Sequence, residues 1–600
     1  MLTLGVTDGI TCGAAVIADG RVLAAINEER LCRKKMAYGF PRASIAEALR
    51  IAGVTPRDVD VVLCDTVNNF FRDGVAEFDG WLQQDRGWVR NAVFSLAGNL
   101  SFLAGWVPGV QSLYYLSRAP IFRNRRRRIG EVLAREFRLH APLRFVDHHL
   151  AHATSAYFTS GFDDATVVSM DGGGDGMSSR IYVVRDGRFK QIGATTAFHS
   201  LANYYAYVTH ICGFKAQKHE GKITGLAAHG TPRYRDLLDA MIRFDRGVLR
   251  NASGRVFHSA IRAIEQQLPA GWEMADLAAS VQQHCEALAT EYIRHHLRGD
   301  APRDVALAGG LFANVRINQC VHELDEVDRV FVHPGMTDMG LAVGAALTPC
   351  MKGKPGESMV WPREVISDVY YGPGYTARRI ESAIQDSGLA YQKAESIEVE
   401  VARLLAEGHV VARFDGRLEY GPRALGNRSI LYQPADPSVN DWLNESLHRT
   451  EFMPFAPATL MEHAPTCYRN YEGAQESARF MTITFDCTDW MKQHCPGVVH
   501  VDGTARPQLV RREDNPSYYK IIDEFRKLTG LPTVINTSFN MHEEPIVCTP
   551  ADALRSFQQG HLDYLAIGDF LVPAPAPIER PRHALGRAGA VTCPAKGGGA

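Results

Sequence analysis

At 600 residues the chain is too long for one hydrophobic core, since single cores stop growing near roughly 250–300 residues, and two large domains are expected. It is 46% hydrophobic and 22% charged, and its formal net charge of −2 offers no global field for nucleic acid or an anionic membrane. Its twelve cysteines are scattered without a Cys-x-x-Cys pair, which fits a reducing cytosol and argues against a cysteine zinc site.

In chain order, Met1–Asp8 lacks the basic leader of a signal peptide, and a cytoplasmic protein is expected. Leu2–Val6 and Gly13–Ile17 read as strands, Asp19-Gly20 as a hairpin turn, and Val22–Ile26 as the returning strand. Asn91–Ser117 carries no charge, but its Asn91, Asn99, Pro108, Gln111 and glycines favour an apolar helical insertion or a homodimer interface over a membrane span. The run Arg123–Arg128 that follows reads as a solvated helix face or a surface for an anionic partner. Thr166–Met170, Asp171–Gly176, Ser179–Val184 and Asp186-Gly187 repeat the opening pattern, so an internal duplication of the actin-like, hexokinase-like ATPase kind is expected. Residues 201–347 read as mainly helical, interrupted by strands at Val305–Ala308 and Val330–His333. Residues 352–368 read as a linker after a first domain of residues 1–351 with an insertion near 70–130. A second α/β domain over 369–572 is marked by strands at Val410–Phe414, Ser429–Tyr432, Phe480–Phe485 and Thr533–Asn536, and the Pro-, Ala- and Gly-rich tail 573–600 reads as disordered.

Asp147-His148-His149-Leu150-Ala151-His152 is the most chemical segment. His148 and His152 are i and i+4, so on a helix they share a face and can bind one divalent metal. A helix with plain surface or core histidines has the same spacing. Asp338, after a short strand and before a small-residue helix, is either a cap or a third ligand of a two-His, one-carboxylate site for iron(II), manganese or zinc.

Three segments suit a nucleotide. Asp171, Gly172, Gly173, Gly174 and Asp175 follow a buried strand, glycines there let backbone N–H groups approach phosphate, and Asp171 and Asp175 suit orienting metal or water, although a tight hairpin needs no more. Gly309 and Gly310 precede Asn314 between a strand and a helix, which permits close approach of adenosine. Glu220 and Lys222 open a helix, as ribose or phosphate contacts or as a structural ion pair.

With these segments in view, the chain from about residue 2 to 572 resembles the carbamoyltransferase family that includes the nodulation-factor, cephem and aminoglycoside O-carbamoyltransferases. The matching words are Asn27-Glu-Glu-Arg30 with Lys34-Lys35, Asp147–His152, Glu220-Gly-Lys222, Gly309-Gly310 with Asn314, and His333-Pro with Thr337-Asp338. In the second domain they are Glu419–Ser429, Pro454–Pro457, His500–Arg506 and Asn536–Asn540. The resemblance implies an α/β protein whose duplicated actin-like domain is similar to the tRNA threonylcarbamoyl-transferase subunit, followed by a YrdC-like domain. It implies metal ligands at His148, His152 and Asp338, with iron(II) favoured, and ATP with a magnesium counter-ion. It further implies that the second domain makes carbamoyl adenylate from carbamoyl phosphate and ATP, and that a small-molecule hydroxyl or amine attacks it at the metal site. Lys35 joins the nucleotide contacts on this basis. Arg423, Arg428, Arg449 and Arg506 suit phosphate oxygens, because guanidinium forks bind them bidentately. Asn536, Thr537 and Ser538 offer neutral partners for carbamoyl or adenylate, and His149 is a candidate general base.

The chain departs from the family at four positions. Ile10 and Thr11 stand where many relatives carry a His-Asp pair, and Leu447 and Met453 where they carry Lys and Arg flanking the Arg449 position. Lys520 or Arg511 could compensate. Two alternatives stay open: a tRNA threonylcarbamoyl transferase, which usually needs a basic RNA face that a net charge of −2 does not supply, and a nucleotide-binding regulatory protein without turnover.

Overall fold

The computed structural model describes residues 1–82, 110–352, 366–447 and 455–576, with 578 and 585, and the side chains of 110–117 are not described. The expectations for most of the 91–117 stretch, most of the 352–368 linker, Arg449, Met453 and most of the tail lie outside these residues. The chain folds into two units, Met1–Ile366 and Ser367–Ala600. No helix among the described residues is long and apolar enough to cross a membrane.

The first unit contains two copies of one sheet. Strands β1 (Leu2–Thr7), β2 (Gly13–Ala18), β3 (Arg21–Asn27), β4 (Val61–Asp65) and β5 (Leu143–Val146) lie in the order β3-β2-β1-β4-β5. Strands β6 (Asp164–Gly174), β7 (Met177–Arg185) and β8 (Arg188–Thr196) precede a small hairpin, β9 (Ile242–Asp245) and β10 (Val248–Asn251). Strands β11 (Asp304–Ala308) and β12 (Arg329–Val332) then complete the order β8-β7-β6-β11-β12, the same topology again. In each copy the first strand is antiparallel to the second and parallel to the fourth. This is the duplicated α/β architecture of the actin-like ATPase fold. The hairpin turns are Asp19-Gly20 and Asp186-Gly187, and all four residues have positive φ, as tight right-twisted hairpins require. The β9–β10 hairpin interrupts the stretch that hydrophobic periodicity assigns to helices.

After the fifth strand of each copy comes a helix, His148–Ser160 and Leu341–Leu347. The two helices pack on each other with almost no side chain between them. A Cβ added to Gly344 would lie 1.8 Å from the Ala151 carbonyl oxygen, and Thr154 Oγ1 donates to the Gly344 carbonyl at 2.8 Å. On its other side the shorter helix meets β1, where a Cβ on Gly5 would lie 1.8 Å from the Ala342 carbonyl oxygen.

In the second unit the strands β13 (Gln392–Lys393), β14 (Val411–Phe414), β15 (Arg428–Tyr432) and β16 (Ala456–Leu460) come first. They are followed by the ribbon strands β17 (Phe485–Asp486) and β18 (Thr504–Ala505), and then by β19 (Gln508–Val510), β20 (Thr533–Ser538), β21 (Tyr564–Ile567) and β22 (Phe570–Pro573). Eight of them form one mixed sheet, β13-β22-β21-β14-β15-β20-β16-β19. Helices Ile397–Ala406 and Pro516–Thr529 bury Leu404, Leu405, Ile521 and Phe525 in its core. The expected strand at Phe480–Phe485 is reduced to its last residue. That run is buried throughout, but Met481 takes a positive φ of 56° and Thr482 Oγ1 donates to the Ser477 carbonyl, so it is a buried loop. Leu585, in the tail, donates its N–H to the Ala406 carbonyl at 2.9 Å.

Gly344→Ala is expected to destabilise the first unit by about 1–3 kcal/mol or more, because the backbone-to-backbone contact leaves no room for a methyl group. Denaturant unfolding monitored on that unit's transition measures it.

Candidate active sites

The metal candidates come together in the first unit through the paired helices. Asp147 caps the first of them, accepting from Leu150 N at 3.0 Å, so that His148 begins the helix and His152 follows one turn later on the same face. Their ring centroids are 4.8 Å apart. Asp338 stands just before the second helix, with Thr337 capping the turn that carries it. His148 Nε2 lies 3.8 Å and His152 Nε2 3.5 Å from Asp338 Oδ1.

A fourth member is Asp171, which the sequence places in the phosphate loop as a residue to orient metal or water and does not count among the metal ligands. Its Oδ2 lies 3.3 Å from His148 Nε2 and 3.2 Å from His152 Nε2. One ligand atom from each of the four residues lies within 4.8 Å of all the others. The glycines around Asp171 explain its position. Gly172 N donates to Asp171 Oδ1 at 2.6 Å, and a Cβ on Gly174 would lie 2.2 Å from the His148 ring. Gly309 (φ 106°) presses on the Met170 carbonyl, where a Cβ would lie 2.1 Å away, and a Cβ on Gly310 would lie 2.8 Å from Asp171 Oδ1. Gly174, Gly309 and Gly310 need to be glycine because a histidine ring, a backbone carbonyl and a carboxylate occupy the space of a side chain.

Burial opposes charge here, yet the carboxylates prevail. Against that burial, Asp171 and Asp338 push His148 up to about 10, and they raise His152 as well. Asp171 is held well below the usual carboxylate range by the two imidazoles, again against burial. Two imidazoles and two carboxylates, the imidazoles buried and the carboxylates partly open, are a donor set that fits a divalent cation.

Three expected site residues serve the frame. His149 is fully buried, with Nδ1 2.8 Å from Ser169 Oγ and Nε2 3.0 Å from the Met177 carbonyl oxygen. Burial and the neighbouring His148 hold it well below the usual histidine range, and both ring nitrogens are engaged. It therefore does not fit the expected role of general base. Asp175 accepts from Val67 N, Asn68 N and His148 N at 2.7–2.9 Å, which takes up its carboxylate on backbone. Asn314 caps the helix Val315–His322 and donates to Gln282 Oε1 at 2.8 Å.

Gln282 Oε1 also accepts from the Tyr205 hydroxyl, which meets Thr224 Oγ1 at 2.8 Å, so the Gly309–Asn314 turn is tied to the helix Glu220–Ala227. Lys222 lies over the Phe214 ring, and Lys35 helps Arg30 hold buried Glu29 below its ordinary range against desolvation. Glu220 accepts from Gln217 N, and burial pushes its carboxyl up to about 7.

In the second unit the arginines divide into two kinds. Arg428 is fully buried, and its guanidinium donates to the carbonyls of Asp415, Asn427, Pro373 and Gly416. It stacks 3.7 Å from the centre of the Phe414 ring. Those bonds tie it to the strand junction, so the expectation that it holds phosphate is corrected. Glu419 Oε1 accepts from Leu425 N, Asn427 N and Arg428 N at 2.8–3.0 Å, which fixes the loop that carries Arg423. Among the described residues no ion pair or hydrogen bond engages Arg423 or Arg506. Arg423 Nε and Arg506 Nη1 are buried without partners. Burial lowers Arg423 to about 10, and burial together with the like charge of Arg423 lowers Arg506 strongly. His500, near Arg506, is lowered to about 4, chiefly by burial.

Asn536 Nδ2 donates to the Ala424 carbonyl and to Gln508 Oε1, while its buried Oδ1 has no partner. Thr537 and Ser538 pair with Ile430 and Ser429 at the end of β20. Lys520 and Arg511, the possible compensating cations, are engaged by Glu398 and by Asp514. Leu447 is a core residue, and Thr11 is buried with a positive φ of 54°.

Glu220 sets a pH prediction. Its folded value of about 7 exceeds the ordinary 4.5, so the folded state holds a proton that the unfolded state releases. Stability is expected to fall as pH rises from about 4.5 through about 7, and Glu220→Gln removes that slope in unfolding experiments across this range.

Residues 4–347 match the family described as carbamoyltransferase N-terminus, and residues 402–573 match the carbamoyltransferase C-terminus. An uncharacterized protein of Synechocystis sp. is 30% identical over 94% of this chain and 95% of its own length. The nodulation protein NolNO of Sinorhizobium fredii is 32% identical over 93% of this chain and 78% of its own. Among solved structures, HypF of T. kodakarensis aligns with 58% of this chain and 47% of its own at 13% identity and a TM-score of 0.33, a likeness that carries no weight here. With both halves matched, the chain belongs to the carbamoyltransferase family and is a transferase.

Proposed function

We propose that this enzyme forms carbamoyl adenylate in its second unit and transfers the carbamoyl group to a small-molecule hydroxyl or amine at the His148, His152, Asp171, Asp338 cluster. The observation that supports the proposal is the pair Arg423 and Arg506, two partly buried arginines, each with a buried N–H that has no partner and neither with an ion pair among the described residues. Such a pair is costly in an empty protein and becomes favourable once phosphate oxygens fill it. Carbamoyl phosphate binds there with its phosphate between the two arginines. Hydrolysis releases inorganic phosphate, and a carbamate oxygen attacks the α-phosphorus of ATP, expelling pyrophosphate. The orphan Oδ1 of Asn536 accepts from the carbamoyl NH2, which an acyl group without N–H would not satisfy.

His148, His152, Asp171 and Asp338 would hold the divalent metal, iron(II), manganese or zinc. When bound, such a cation lowers the pKa of a coordinated hydroxyl. The carboxylates of Asp171 and Asp338 are partly open, and in this reading the acceptor arrives from their open side and is oriented by them toward the carbamoyl carbon. The acceptor oxygen or nitrogen forms the new bond, its proton passes to solvent or base, and AMP leaves. The turn at Gly309-Gly310, with Glu220 and Lys222 across the Thr224–Tyr205–Gln282 chain, is the proposed cradle for the nucleotide half of the adenylate.

Arg506→Ala and Arg423→Ala are each expected to lower carbamoyl phosphate-dependent exchange of labelled pyrophosphate into ATP by about 100-fold or more, the scale of removing a preorganised charge partner. Arg428→Lys instead lowers folding stability. His152→Ala is expected to leave the exchange intact and to abolish acceptor carbamoylation. Loss of exchange in a folded His152→Ala protein would overturn the division into two sites, and exchange that requires threonine and bicarbonate would favour threonylcarbamoyl transfer.

A further inference from the structure

The two histidines of the cluster are supported differently on their far sides. His152 Nδ1 is buried without a partner. His148 Nδ1 lies 3.1 Å from Thr66 Oγ1, and the same oxygen lies 2.6 Å from Asp65 Oδ2. A hydroxyl has one proton. With that proton given to the Asp65 carboxylate, Thr66 can only accept from His148, so the imidazole carries its proton on Nδ1. When the ring is neutral, as a metal ligand must be, its Nε2 lone pair is then the one on the side of Asp171 and Asp338.

Thr66 is an unexpected residue for its backbone position. It follows β4 with a φ of 57°, a conformation that β-branched side chains rarely adopt and that Gly or Asn would take with less strain. The structure grips the turn from both sides. Arg125, fully buried in the helix Val110–Phe137, donates Nη1 to the Thr66 carbonyl at 2.5 Å and Nη2 to the Asp65 carbonyl at 3.0 Å. Its charge is balanced by Asp8, 2.6 Å from Nη2 and 3.0 Å from Nε. On the other side Asp175 receives Val67 N, Asn68 N and His148 N, so one carboxylate binds the turn to the first residue of the histidine helix.

We propose that Thr66 is a positioning residue of the metal site: its hydroxyl, anchored by Asp65 and held in a strained turn by Arg125, fixes the orientation of the His148 imidazole. This rests on the metal assignment made above. A ligating histidine held through its second nitrogen loses on the order of 10–100-fold in metal affinity when that support is removed.

The test uses the full chain and Mn2+ alone, titrated with free Mn2+ followed by electron paramagnetic resonance, on wild type, Thr66→Val, Thr66→Ser, Thr66→Gly and His152→Ala. Thr66→Val and Thr66→Gly are expected to weaken Mn2+ binding by on the order of 10–100-fold, and Thr66→Ser to restore it to about wild-type level. Thr66→Gly relieves the left-handed strain and is expected to melt no lower than wild type, so weaker Mn2+ binding in that variant marks the lost hydroxyl and not a lost fold. Wild-type affinity in folded Thr66→Val and Thr66→Gly, with His152→Ala binding weakly, overturns the positioning role and leaves the metal site standing. Failure of wild type itself to bind Mn2+, or unchanged binding in His152→Ala, overturns the metal assignment and this proposal with it.

Discussion

Two backbone contacts without intervening side chains shape the first unit. Gly344 meets the Ala151 carbonyl and Gly5 meets the Ala342 carbonyl, so the helix Leu341–Leu347 is pressed between β1 and the helix His148–Ser160. Because those two helices are equivalents in the two copies of the sheet, their contact is where the duplicated halves meet. One contributes the two histidines and the other, through the turn just before it, Asp338. The glycines around Asp171 continue the same theme: Gly174 leaves the space of the His148 ring, Gly310 that of the Asp171 carboxylate and Gly309 that of the Met170 carbonyl.

The second unit solves a different electrostatic problem. A buried arginine is tolerated when most of its donors are engaged, and Arg428 gives its two terminal nitrogens to four carbonyls and lies on an aromatic face, with only Nε left over. Glu419 performs the matching service for three N–H groups of the same loop. With the loop secured by these two residues, Arg423 has no ion pair among the described residues, and its like charge acts on Arg506 from another segment. A protein maintains two such cations side by side only if an anion gains more from them than the fold loses.

These two sites differ in what supports them. The His148, His152, Asp171, Asp338 cluster is held by helices, caps and a strained turn at Thr66, so it depends on backbone geometry. The proposed anion site is held by a hydrogen-bonded loop between β14 and β15 and by the Gln508–Asn536 pair, so it depends on satisfied polar atoms in a large mixed sheet. His149 and Arg428 show the cost of arguing from residue type alone: each belongs to a chemical motif, and each has its polar atoms used in holding that motif together.

Much was legible from the residues in order. Alternation of apolar positions and the two Asp-Gly turns marked both hairpins and hence the duplication, because a two-residue turn and a period of two are local properties. The i, i+4 spacing of His148 and His152 placed them on one face for the same reason. Phe480–Phe485 misled because an apolar run reports burial, and burial does not require a strand. Asp171 as a fourth ligand, and the Thr66–Asp65 support behind His148, depend on β4, β6 and two helices converging from positions far apart in the chain, and no local pattern encodes that approach. Likewise Arg423, Arg428 and Arg506 are one residue type with equal charge in the sequence. Only the tertiary structure decides which guanidinium finds carbonyls and which is left facing an unpaired neighbour, because hydrogen-bond satisfaction is a property of the packed environment.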